Sequence, residues 1–156
     1  MFLAPIEPTG QGDYLLTLGG RERAVLRELP YQLERLLDEA PADPSLRRLS
    51  PPAYGDDAEA EAEYRRLMAD ELEAGRRSNL RTFAETLERE RLTRQDLEAW
   101  LTALNDLRLV LGTRLDVTEE LFDVEIEPSD PRGEELALYA YLSWLQEHVV
   151  RALDPD

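Results

Sequence analysis

Apolar residues recur every three or four positions through most of this chain and pack most densely between Trp100 and Leu115. At roughly 100° per residue, Leu97, Trp100, Leu101, Leu104, Leu107, Leu111 and Leu115 share one stripe of a helix. The pair Thr93 and Asp96 supplies a start resembling a capping box, and the helix is predicted to end near Asp116. An earlier helix follows from Leu26, Leu29, Leu33, Leu36, Leu37 and Ala40, with Pro30 predicted to kink or break it near Leu29. A third is predicted from near Asp56, with Tyr64, Leu67, Met68 and Leu72 facing inward. Acids crowd its first turns, and Arg76 and Arg77 lie beyond its expected end, a polarity that the helix dipole favours. Gly75 either ends it or weakens one long helix continuing through Leu80, Phe83, Ala84 and Leu87. The last helix, about Gly133 to Leu153, is apolar almost all round, which predicts a place in the middle of a bundle, packed against the Trp100 to Leu115 helix.

The opening residues, 1–18, read instead as a β-hairpin, with strands Phe2 to Ile6 and Tyr14 to Leu18 around the turn-rich Thr9 to Gly12. A lone hairpin is marginal in water, so this one is expected to lie on the helices. Between the first two long helices, Leu46 to Leu49 suggests a single helical turn among four prolines. Residues 116–132 form an acidic link, in which Phe122 to Glu127 alternates weakly like a strand and Thr118 could cap a short turn. The pattern as a whole predicts a mainly α fold. It is one helical-bundle domain over residues 1–156 with a short N-terminal β-hairpin.

Composition narrows the chemistry. The net charge is −16, and all 18 cations are arginine. A chain this acidic repels phosphate backbones, so direct nucleic-acid binding is disfavoured; it would need a local patch from Arg47, Arg48, Arg76, Arg77 and Arg81. The absence of cysteine excludes thiolate catalysis, cysteine zinc sites and a thiol switch within this chain. The one histidine, His148, has no companion for a metal site or a catalytic dyad and reads as a bystander. No cofactor is expected. Pro5, Glu7 and Pro8 interrupt any leader-like run, and no apolar stretch is long enough to span a bilayer, so a cytoplasmic location is expected.

The sharpest polar constellation is Asn105, Asp106 and Arg108. Arg108 projects within roughly 20° of the centre of the apolar stripe. A buried guanidinium needs a partner, and Glu134, Glu135 or Gln146 on the last helix could supply one; Asp106 points to the opposite side. A structural clamp is favoured over a recognition site. Gly112 is expected to admit a close neighbour, backbone or aromatic. Trp100, Trp144 and Tyr141 are read as core before interface anchors. The segment Asp116 to Glu135 carries nine acids and one arginine, so it is either a solvated linker or a dock for a basic surface.

The runs AWLTALNDLRLVLGTRL (Ala99 to Leu115) and LYAYLSWLQEHVVRAL (Leu138 to Leu153) resemble the actinobacterial AosR-like family. The hairpin, the first leucine-rich helix and PPAY at Pro51 to Tyr54 fit it as well. The resemblance implies a cytoplasmic, oxidant-sensing transcriptional regulator cooperating with a stress sigma factor. It places Trp100, Asn105, Asp106, Arg108 and Gly112 among the residues that define the fold, with no catalytic role attached. The family's switch uses a cysteine pair, which this chain lacks. The leading expectation is therefore a non-enzymatic regulatory or adaptor protein that contacts a sigma factor or polymerase. Its interface would be the acidic segment or a patch around Asn105. The competing expectation is a small-molecule binder or enzyme with an interhelical pocket, where Arg108 holds an anion. The oligomeric state stays open.

Overall fold

The computed structural model describes residues 4–49, 58–115 and 131–154. Two strands, β1 (Ile6–Pro8) and β2 (Asp13–Leu16), lead into helix α1 (Gly20–Glu39) and a 3-10 helix (Pro44–Leu49). Helix α2 (Ala58–Thr86), strand β3 (Arg91–Thr93), helix α3 (Arg94–Leu115) and helix α4 (Gly133–Leu153) complete the order. The fold is mainly helical, as the periodicity predicted.

The predicted hairpin forms with shifted strand bounds, Ile6–Pro8 and Asp13–Leu16, and gains a third strand. β1 pairs antiparallel with β2, with Ile6 opposite Leu16 and Pro8 opposite Tyr14. β3 joins the free edge of β2, with Tyr14 opposite Leu92. Gly10 and Gly12 have φ of 88° and 91°, a left-handed region that glycine enters without strain, and this turns the chain between β1 and β2. Ile6, Tyr14, Leu16 and Leu92 are all buried, so the sheet packs one face onto the helices. The third strand escaped the sequence because three residues are too short to show alternation.

Thr93 closes that strand and caps α3. Its backbone N–H donates to Asp96 Oδ2 and its Oγ1 accepts from the Asp96 N–H, both at 3.0 Å. This is the reciprocal pairing that the Thr93 and Asp96 spacing predicted.

α3 occupies the centre, packing on α4, α2, the 3-10 helix and α1. Its buried residues run round the helix: Leu97, Ala99, Trp100, Ala103, Leu104, Leu107, Val110 and Leu115. The last helix packs directly on α3 as its main partner, as expected of the two apolar helices at the centre; it buries Leu142, Leu145 and Val149 while leaving Trp144 and Val150 exposed.

Three further expectations are corrected. α1 is one continuous helix through the buried Pro30, so the break expected as one alternative near Leu29 does not occur. α2 passes through Gly75 to Thr86, so Arg76 and Arg77 lie inside the helix and not beyond its end. Tyr64, Leu67 and Leu72 do not face inward: they are 63%, 65% and 43% exposed, because the first half of α2 extends beyond the shared core. An open cleft of about 920 Å³ separates that half from the 3-10 helix and the end of α1. The predicted helical turn at Leu46 to Leu49 is the end of the 3-10 helix. The strand and cap proposed within 116–130, and PPAY at Pro51 to Tyr54, lie outside the described residues.

Candidate functional site

The polar residues singled out on α3 separate onto two sides of the helix, because Asp106 and Arg108 stand about 200° apart around its axis. Arg108 turns toward α4. Its Nη1 donates to Gln146 Oε1, and its Nη2 lies 3.5 Å from the Tyr139 hydroxyl. The guanidinium carbon also sits 5.5 Å from the centroid of the Tyr139 ring, within reach of a cation–π attraction. Gln146 was among the partners read from the sequence; Glu134 and Glu135 stay exposed in the first turn of α4.

Gly112 lies one turn beyond Arg108 and explains how Tyr139 reaches it. A Cβ on Gly112 would come within 3.0 Å of Tyr139 Cε2, so the missing side chain makes room for the ring. Arg108, Gly112, Tyr139 and Gln146 thus form one clamp between α3 and α4. Asn105 is half-buried beside them on α3.

Asp106 turns the other way, toward α2 and the 3-10 helix. Its Oδ2 lies 3.3 Å from Arg76 Nε, and both side chains are largely buried. Arg76 Nη2 donates to the Leu49 carbonyl at 2.7 Å, so one guanidinium ties together α2, α3 and the 3-10 helix. Burial pushes the Asp106 carboxyl above its ordinary range, against the pull of Arg76. Sequence reasoning missed this pair. Arg76 is one of 18 arginines and lies thirty residues from Asp106, so no local pattern joins them.

The aromatic residues divide in the same manner. Trp100 is fully buried, edge-on to Phe83 at 4.7 Å, and its indole N–H donates to Thr86 Oγ1 at 2.6 Å. Trp144 is 43% exposed and sits between Tyr141, at 5.7 Å, and His148, at 4.6 Å. The Tyr141 hydroxyl donates to Glu22 Oε2 at 2.6 Å, joining α4 to α1. Burial and the Glu22 carboxylate push its ionisation far upward, so it stays a neutral donor.

Three of the five arginines considered for gripping a duplex are engaged within the protein. Arg76 is held by Asp106, Arg77 by Asp38 and Glu73, and Arg81 lies 3.8 Å from Glu34. The hydrogen bonds that Arg77 donates to Glu73 and Asp38 hold it still more firmly charged. Among the described residues no cluster of histidine and carboxylates could hold a metal ion, and no helix is long and apolar enough to cross a membrane.

A family model described as a domain of unknown function, DUF2017, matches residues 4–153. The chain is 32% identical over 130 residues to the putative oxidative stress regulator AosR of Mycobacterium leprae. The same identity over the same length relates it to the oxidative stress regulators AosR of Mycobacterium bovis and Mycobacterium tuberculosis. Each match covers 72% of this chain and 59% of the relative, so the chain spans about three fifths of the curated relatives' length. No solved structure matches. The family match across residues 4–153, nearly the whole chain, establishes that this protein belongs to the DUF2017 family.

Proposed function

We propose that this chain is a regulator of the oxidative-stress type that acts by contacting another protein, with no catalytic step of its own. The regulatory part rests on the names of the mycobacterial relatives. The observation that carries the mode of action is the closure of Arg108 by Gln146 and Tyr139. The most conspicuous cation of the central helix turns both Nη atoms to holding α3 to α4, leaving its buried Nε without a partner among the described residues. Asp106 is engaged on the other side by Arg76. The two groups diverge and do not converge on a space where a substrate could react.

A sigma factor or RNA polymerase in the cytoplasm is the partner this reading takes. The contact surface is the outer side of α4, where Trp144 presents a large, partly exposed ring braced by Tyr141 and His148. Such rings carry a disproportionate share of binding energy at protein interfaces. This chain has no cysteine, so an oxidant signal reaches it through the partner or through a group other than its own thiols.

The test is direct binding of the purified chain to RNA polymerase core, to holoenzymes and to free sigma factors from the same bacterium. At least one should form a complex that Trp144→Ala weakens by about tenfold or more, with the helical circular dichroism unchanged. No complex with any of them would overturn the reading. Tight duplex DNA binding at physiological salt would replace it with direct DNA recognition.

A further inference from the structure

We infer that the cleft between the first half of α2 and the 3-10 helix is a binding site for a small amphiphile: an apolar body with an anionic carboxylate or phosphate head. This goes beyond the protein-contact reading and stands on different residues.

At about 920 Å³, the cleft lies within the range of sites that enclose small ligands, about 300–1,000 Å³. Its apolar walls come from Leu37, Leu46, Leu49, Tyr64, Met68 and Leu72. Tyr64 and Leu72 are the residues whose periodicity called for burial and whose exposure the protein's own core leaves unrelieved. Removing such a surface from water is the gain that an apolar ligand body supplies.

Charge decides the head group. The acids that line the cleft already have partners inside the protein. Asp43 accepts from the Ser45 N–H at 2.8 Å and the Ser45 hydroxyl at 2.6 Å, and Glu73 accepts from Arg77 at 3.0 Å. Arg76, at the inner wall, is committed to Asp106 and the Leu49 carbonyl. Arg47 and Arg66 remain: both are exposed, and neither has a hydrogen bond or ion pair among the described residues. The unsatisfied charge of the cleft is thus cationic, on a molecule whose net charge is −16. Guanidinium forks pair well with carboxylate and phosphate. An apolar wall flanked by two free guanidiniums therefore fits an anionic amphiphile and disfavours a neutral or cationic one.

Four alkyl probes of equal length test this by titration calorimetry on the purified chain, each below its micelle concentration: dodecanoate, dodecyl phosphate, dodecanol and dodecylammonium. At least one anionic probe is expected to bind about tenfold or more tighter than dodecanol, and dodecylammonium more weakly still. The stronger of dodecanoate and dodecyl phosphate identifies the head. The double variant Arg47→Gln, Arg66→Gln should reduce the anionic probes to the affinity of dodecanol. Ala69→Trp, at an exposed lining position, should block all four. The ranking of head groups on the unaltered chain remains decisive even if a variant fails to fold. Absence of binding by both anionic probes, equal binding of anionic and cationic probes, or an anionic preference that survives the double variant would overturn the inference. Capture of an acidic amphipathic peptide without any alkyl probe would also overturn it, in favour of a protein ligand. Since only the purified chain and alkyl probes are used, failure here leaves the polymerase experiment unaffected.

Discussion

The two halves of α2 carry similar apolar spacing and meet opposite fates. In the second half, Leu80 and Phe83 are completely buried, Phe83 against Trp100 of α3, as is Leu87 just past the helix end. In the first half, Tyr64, Leu67 and Leu72 remain in contact with solvent. Arg76 stands between them, reaching across to Asp106 and Leu49. What differs is the neighbour: α3 lies along one half, while the other half looks onto a cleft. A hydrophobic stripe marks a surface that gains from being covered; it does not say that the same chain covers it.

Core truncation should separate the halves most sharply. Phe83→Ala is expected to cost about 3–5 kcal/mol, whereas Leu67→Ala should stay within about 0.5 kcal/mol. Urea unfolding measures both, and equal costs would erase the contrast. At the boundary, Asp106→Ala strands the Arg76 guanidinium and should cost about 3 kcal/mol. Replacing both members by apolar residues, as in Arg76→Met with Asp106→Leu, should recover most of that loss. On the far side of α3, Gly112→Val drives a side chain into Tyr139 and should cost about 1–3 kcal/mol by thermal unfolding.

The smallest expected effects are protonation effects, and they too set the cleft against the interior. Carbon-13 titration of the carboxyl groups should place Asp43 below the ordinary 3.8, because Ser45 donates to its charged form. Asp106 should titrate above 3.8, because burial penalises its charged form. The two act on stability with opposite sign. With its folded value lowered, Asp43 contributes stability above its unfolded value and loses it as the pH falls through the folded one. With its folded value raised, Asp106 favours folding most at low pH, and this contribution declines as the pH rises from 3.8 through the folded value. Ser45→Ala should therefore flatten the acid limb of the stability curve, and Asp106→Asn should remove the opposing contribution.

Some of the polar architecture was legible in the sequence and some was not. Arg108 declared itself because a cation on an apolar stripe must find a partner, and Gln146 on the last helix was within the candidates. The capping pair at Thr93 and Asp96 was readable because its partners are three residues apart. Arg76 with Asp106, Thr86 with Trp100 and Glu22 with Tyr141 were not readable. Each joins different elements, and nothing in the sequence distance selects one partner among many similar residues. The cleft was hidden for a related reason: its walls come from three separate elements, each of which reads as ordinary core.

By itself the sequence determined the helical class, the extent of α4 and its packing on α3, the capped start of α3 and the demand for a partner to Arg108. These are local matters of periodicity, capping and the cost of burying charge. Only the tertiary structure decided that β3 joins the sheet, which half of α2 is covered, and that Arg76 locks to Asp106. Helical spacing fixes which residues share a face; the packing of the other helices decides what that face meets.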